Sequence, residues 1–173
     1  MSFSIPDYIF ERFDLITPSF LASHGIRCVL CDIDNTLVTY DDEGPTEKVL
    51  LWLSELNTAG ITVIFLSNNK SNRAAVFAKE LTNPHYAPAH KPLTRVARRA
   101  LSDHGFLPRE TAVLGDQIFT DIWTGNLLGA ALTLFVPPIK DLTTPFFRAK
   151  RFLEKPFLKH YKRRENKRRK ESD

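Results

Sequence analysis

The chain has 173 residues, of which 43% are hydrophobic and 25% charged, and its formal net charge is +4. That is enough apolar material for one globular core, and it excludes a disordered chain over most of the length. No uncharged apolar run of about eighteen residues occurs, so no membrane-spanning helix is expected. The N-terminal MSFSIPDYIFERFD lacks a basic stretch followed by an apolar one, so no secretory signal is expected. Cys28 and Cys31 bracket one predicted strand and cannot build a disulfide framework. A reducing cytoplasm is therefore the expected compartment, with both thiols in the core. The net charge conceals an asymmetry. Residues 148–173 hold twelve of the 24 lysines and arginines against four acids, which leaves twelve basic and sixteen acidic groups in residues 1–147. The body is acidic and the tail is basic.

Residues 1–25 read as an aromatic lead-in, with Tyr8, Phe10, Phe13 and Phe20, that packs on the domain. Ile26–Ile33 is a short β-rich apolar run that predicts a buried strand. Over Pro45–Ala59, Val49, Leu50, Trp52, Leu53 and Leu56 recur at helical spacing, with Pro45 at the first turn and Gly60 past the end. Ile61–Leu66 predicts a second buried strand, Ser71–Leu81 a helix, and Tyr86–Ala89 a short third strand. Thr94–His104 predicts a helix closed by Gly105. Thr111–Leu114 predicts a strand, Ile118–Leu128 a helix stopped by Gly129, and Ala131–Val136 the last strand. After Pro137-Pro138, helix is expected from Thr143 to Pro156, followed by a solvated basic end.

Strands that alternate with helices, and that are apolar throughout, predict an α/β fold with a parallel sheet covered on both faces. Three regions are expected: a lead-in at 1–25, a core at 26–142 and a basic helix and tail at 143–173. In such sheets ligands gather at the carboxyl ends of the strands. Polar groups follow four of the predicted strands: Asp32-Ile33-Asp34-Asn35-Thr36, Ser67-Asn68-Asn69, His90-Lys91-Pro92, and Gly115-Asp116 with Asp121 about a turn later. Taken singly, these residues read as a loop acid, a helix cap and a solvated lysine. As an ordered set, they point to chemistry.

Two carboxylates two residues apart at the end of a buried strand repel each other, and a hard divalent ion such as Mg²⁺ would relieve the repulsion. Asp116 adds a third carboxylate from a neighbouring strand end. Lys91 can neutralise charge beside them, and the Ser67 hydroxyl with backbone N–H groups at a helix start can hold an anion.

In order, Asp32-Ile33-Asp34-Asn35-Thr36-Leu37, Ser67, Lys91 and Gly115-Asp116 with Asp121 resemble the four motifs of the haloacid dehalogenase (HAD) superfamily, over roughly residues 26–136. Within it the chain looks like the YqeG-type phosphatases of subfamily IIIA, through its lead-in, DIDNTL-V, SNN, A-x-KP and GDQ-x3-TD-type motifs. Mitochondrial phosphatidylglycerophosphate phosphatases are similar more distantly. The resemblance implies a Rossmann-like fold and an Mg²⁺-dependent phosphomonoesterase. Asp32 is then the nucleophile and Asp34 the general acid and base. A carboxylate oxygen of Asp32, the backbone carbonyl of Asp34 and Asp116 hold the metal. Ser67 and the N–H of Asn68 bind phosphoryl oxygens, and Lys91 neutralises nucleophile and phosphate. Asp121 orients Lys91 or metal-bound water, and Thr36 beside Asp34 marks a phosphatase. Only 32 residues separate Asp34 from Ser67, and one helix is predicted between Lys91 and Asp116. No inserted cap domain is expected, and an open site suits a large or surface-presented phosphate such as a lipid head group.

Beyond residue 143, Phe146, Phe147, Phe152, Leu153, Phe157 and Leu158 are interleaved with lysines and arginines. The composition suits a solvated end, an anionic bilayer surface at the inner face of a membrane, or RNA phosphates such as those of a ribosome. Besides the lipid phosphatase, a soluble phosphatase for a nucleotide, sugar or protein phosphate, and an RNA-docking protein on the same scaffold, remain open, as does oligomeric state.

Overall fold

A computed structural model describes residues 5–42, 44–69, 72–79, 81–140 and 152–161. Its centre is a six-stranded sheet: β1 (Tyr8–Ile9), β2 (Cys28–Cys31), β3 (Thr62–Leu66), β4 (His85–Tyr86), β5 (Thr111–Gly115) and β6 (Leu132–Phe135), in the order β1-β6-β5-β2-β3-β4. Every pairing is parallel, with Val29 of β2 opposite Val63 on one side and Ala112 on the other. The expected α/β architecture with a parallel sheet is what forms.

Alternation along the strands explains why they are apolar throughout. Val29 and Cys31 of β2 join Val63, Phe65, Ala112 and Leu114 in one core. Cys28 and Leu30 point the other way, into a second core with Ile64, Leu66 and Val113. The first core is covered by α1 (Pro18–Ser23) and α2 (Glu47–Thr58), the second by α4 (Arg95–Asp103), which contributes Ala97, Ala100 and Leu101. Both thiols are buried, and burial pushes Cys28 up to about 12.

α2 begins two residues later than its sequence pattern suggests, at Glu47. Thr46 is the cap, accepting from the Val49 N–H at 3.4 Å, and Pro45 lies just outside. Trp52 of this helix donates its indole N–H to the Ile16 carbonyl at 3.0 Å and packs edge-on against Phe13, fastening the lead-in to the body. The lead-in also supplies β1, a strand the sequence does not announce. Two residues show no period, and β1 exists because it pairs with the edge of β6.

Further boundaries differ from expectation: the strand expected over Ile26–Ile33 is the shorter β2, and that expected over Tyr86–Ala89 is β4, set back to His85–Tyr86. The helix expected over Ser71–Leu81 is the shorter α3 (Arg73–Phe77), and Ser71 lies outside the described residues. The helix expected over Ile118–Leu128 opens with a π-helical turn, Ile118–Ile122, before α5 (Trp123–Leu128). Residues 152–161 are one helix, α6, which runs through Pro156 instead of ending there. Glu154 is fully buried and accepts the Ile118 N–H at 2.9 Å, Phe157 meets Phe119 edge-on at 5.8 Å, and the Tyr161 hydroxyl accepts from the Ile9 N–H at 3.2 Å. These contacts compensate for the N–H that proline lacks. The tail expected at 143–151 and 162–173 lies outside the described residues. Among the described residues, no helix is long and apolar enough to cross a membrane.

The order of the strands positions the site. From β2 the chain steps outward through β3 to β4, then returns to the opposite side of β2 for β5 and β6. The crevice between the ends of β2 and β5 is a topological switch point, where ligands bind in open α/β sheets.

Candidate active site

Beyond β2, the Asp32 N–H still bonds the Leu114 carbonyl at 2.9 Å, so Asp32 leaves the sheet in register. The chain then folds tightly back. Leu37 N–H bonds the Ile33 carbonyl at 3.0 Å, and Asn35 takes a left-handed φ of 66°, which asparagine tolerates better than most residues. This loop presents Asp32 and Asp34 at the mouth, and Thr36 donates its hydroxyl to Asp32 Oδ2 at 3.2 Å.

At the end of β3, Ser67 is held in the sheet by its own N–H to the Tyr86 carbonyl, and its hydroxyl accepts the Asn69 N–H at 3.1 Å. The side chain of Asn68 grips the peptide of Lys91 from both sides: its Oδ1 accepts the Lys91 N–H at 2.7 Å and its Nδ2 donates to the Lys91 carbonyl at 2.9 Å. So held, the buried lysine reaches Asp32 Oδ1 at 2.5 Å and Asp121 Oδ1 at 2.6 Å.

The last strand end depends on one glycine. A Cβ at Gly115 would lie 2.2 Å from Asp121 Cγ, so only glycine lets that carboxylate close on the strand. Asp121 Oδ2 accepts the Gln117 N–H at 3.1 Å. Asp116, next to Gly115, is fully buried.

Oxygens of Asp32, Asp116 and Asp121 all lie within 4.8 Å of one another. Three buried carboxylates lie together, two of them on the buried Lys91, and their hard oxygen donors fit a divalent cation. The carboxylate of Asp34 is outside this group, so any part it plays there falls to its backbone carbonyl. Burial pushes the Asp32 carboxyl up to about 7; Lys91 opposes this, and the charges of Asp121 and Asp34 add to it. For Lys91, burial disfavours the cation, but Asp121 and Asp32 outweigh it and hold the ammonium well above its ordinary range. Burial, followed by the charges of Asp34, Asp32 and Asp116, also raises the Tyr40 phenol.

Six of the residues singled out in the sequence line one cavity of about 440 Å³: Asp32, Asp34, Ser67, Asn68, Lys91 and Asp121. Thr36 braces Asp32 from outside it, and Asp116 is set among the carboxylates without lining it. Tyr40, Asn69, Gln117 and Thr120 complete the wall. Sequence reasoning missed Tyr40 and, behind it, Arg73, whose Nε meets Asp34 Oδ1 at 2.5 Å across 39 positions of chain. The only signal for Arg73 is a basic residue at a helix start just after the SNN segment.

No family model matches the chain. It is 31% identical over 162 residues, 94% of each chain, to the probable phosphatase YqeG of Bacillus subtilis. Among solved structures it resembles the cobalt-bound deoxy-D-mannose-octulosonate 8-phosphate phosphatase of Haemophilus influenzae, with a TM-score of 0.52 at 17% identity over 64% of this chain and 68% of that one. It also resembles a hypothetical protein of Xanthomonas campestris, with a TM-score of 0.50 at 22% identity over 70% and 67% of the two chains. These structural likenesses are of fold. Identity of this degree along almost the whole of both chains, on a parallel sheet with charged groups at its switch point, places the protein: the chain belongs to the family of the probable phosphatase YqeG.

Proposed function

We propose that this phosphatase hydrolyses a phosphomonoester through an aspartyl-phosphate on Asp32, with Mg²⁺ as its metal and a lipid head-group phosphate, such as phosphatidylglycerophosphate, as its substrate. The observation that carries the chemistry is the buried triad in which Lys91 bridges Asp32 and Asp121 at the floor of the polar cavity. Asp32, the backbone carbonyl of Asp34 and Asp116 would hold Mg²⁺, which when bound offsets negative charge on the phosphoryl oxygens. The Ser67 hydroxyl and the Asn68 N–H take phosphoryl oxygens, and Lys91 compensates charge on the nucleophile and the phosphate.

An Asp32 oxygen attacks phosphorus as the bond to the leaving oxygen breaks, and Asp34 gives that oxygen its proton, releasing an alcohol. A water oxygen then attacks the same phosphorus, its proton passes to Asp34, and Asp32 departs as a carboxylate with release of inorganic phosphate. Thr36 steadies Asp32 and Asp121 steadies Lys91 through the bonds already described.

Two features support the lipid assignment. Between Asp34 and Ser67 the described chain forms only the loop, α2 and β3, so the site is not roofed by an insert there. On α6, Phe152 and Leu153 are 69% and 57% exposed beside the exposed Lys155 and Lys159, an arrangement suited to the anionic inner face of a membrane.

The experiment is phosphate release with and without Mg²⁺ from phosphatidylglycerophosphate in mixed micelles and from soluble monoesters, wild type beside Asp32→Asn. Release from the lipid that the variant lacks is the expected result. Release from soluble nucleotide, sugar or protein phosphates alone overturns the lipid assignment. Binding of RNA or ribosomes with no hydrolysis of any ester overturns the enzymatic one.

A further inference from the structure

Arg73 is the first residue of α3, on the segment that follows Ser67-Asn68-Asn69. Its guanidinium is directed wholly at the loop after β2. Nε donates to Asp34 Oδ1 at 2.5 Å, Nη2 donates to the Thr39 carbonyl at 2.6 Å, and Cζ lies 5.9 Å from the centre of the Tyr40 ring. The arginine and aspartate side chains are only 18% and 8% exposed. Arg73 therefore cross-ties the two segments that bear the nucleophile with its neighbouring acid and the phosphate-gripping residues. It does not line the catalytic cavity, so whatever it does passes through Asp34.

From this geometry we infer that Arg73 is a positioning residue that fixes the Asp34 carboxyl for proton transfer, an inference that rests on the reading of Asp34 as general acid and base. Because Oδ1 accepts from Nε, the mobile proton is carried on Oδ2. In the first half of the reaction the Oδ2–H bond breaks and its proton joins the leaving oxygen as the P–O bond is lost. In the second half Oδ2 takes a proton from the attacking water. Oδ1 stays an acceptor throughout. A planar guanidinium suits the task because it reaches two separate acceptors, a carboxylate and a carbonyl, from one fixed fork; a lysine ammonium offers one point charge on a flexible stem. The pair also costs little in motion, since Thr39 and Tyr40 hold the fork on the same loop that carries Asp34.

The test uses the Mg²⁺-loaded full chain and a series of aryl phosphates whose leaving phenols grow steadily more basic. Esters of acidic phenols such as p-nitrophenol need little protonation on departure, and esters of basic ones need much. In Arg73→Ala, kcat should fall by about three-fold for p-nitrophenyl phosphate and by about 100-fold for the most basic leaving group, the scale expected when a catalytic group is misplaced by about an ångström. KM should stay within about two-fold, and free guanidinium should restore part of the loss. Arg73→Lys, which keeps the charge and changes the fork, should show a loss that grows along the series in the same direction but less steeply, and serves where the alanine variant does not fold. An equal loss along the whole series, or a raised KM with kcat kept, overturns the positioning role. Asp34→Asn run alongside separates the two failures. A steep response in Asp34→Asn with a flat one in Arg73→Ala removes the role of Arg73 alone, whereas a flat response in both removes Asp34 as the acid and the inference with it.

Discussion

Two cavities open at the carboxyl ends of the strands, the loop after β2 giving Thr36–Thr39 to the larger and Tyr40 to the smaller, and they differ in kind. The larger, about 560 Å³, has walls of Phe13, Leu37, Val38, Val136 and Pro137, and two of its acids are bonded locally: Arg12 bonds Asp14 at 3.0 Å, and Asp42 takes the Thr39 hydroxyl and N–H. The smaller, about 440 Å³, is lined by Asp32, Asp34, Lys91 and Asp121 from the segments that follow β2, β4 and β5, with Lys91 bonded to Asp32 and Asp121. Volume alone would choose the apolar one. Charges taken out of water are tolerated only where they pair, and a lysine buried between two aspartates at a switch point is what the proposed phosphoryl chemistry requires. Thr36 belongs to the wall of the larger cavity and donates to Asp32, so the apolar side acts as scaffold for the polar one.

The comparison can be broken in graded steps. Asp32→Asn should remove turnover by at least about 10⁴-fold, because the amide cannot attack phosphorus. Steady-state release on any accepted ester checks this, and retained activity would dismiss the nucleophile. Lys91→Ala should cost about 10³-fold in kcat/KM. It should also lower the melting temperature, since a buried ion pair broken on one side leaves uncompensated charge worth about 3–5 kcal/mol. Gly115→Ala forces Asp121 off the strand end. A loss of about ten- to 100-fold in kcat, with about 1–3 kcal/mol of stability, is expected by kinetics and denaturant titration. Ile139→Ala, in the wall of the larger cavity and half exposed, should leave kcat/KM within about two-fold, as surface truncations usually do. A large loss there would mean that the apolar cavity takes part in catalysis.

What was legible in the sequence follows from how local the cause is. β2, β3, β5 and β6 are apolar on both faces, so their runs stand out, and the polar residues of the site come directly after strand ends where the topology assembles them. β1 was not legible, because Tyr8 and Ile9 form a strand only against Leu134 and Phe135, 126 residues away. Nor was α6 past Pro156, where Glu154, Phe157 and Tyr161 supply through tertiary contact what a helix signal would have denied. The π-helical turn at Ile118–Ile122 has no periodic signature, yet it sets Asp121 against Gly115. The Asn68 side chain could be read as polar and near an anion site; that it clamps the Lys91 backbone depends on β4 lying beside β3. Arg73 was invisible for the same reason, since its partner is fixed by the fold and by no spacing along the chain.

The most direct test of the account is mass spectrometry of the enzyme quenched in acid during turnover with Mg²⁺ and an accepted phosphomonoester. A phosphoryl group on the peptide that contains Asp32, absent in Asp32→Asn, is the predicted result. Modification of another residue, or turnover without any modified enzyme in a quench fast enough to catch it, would contradict the aspartyl-phosphate on Asp32.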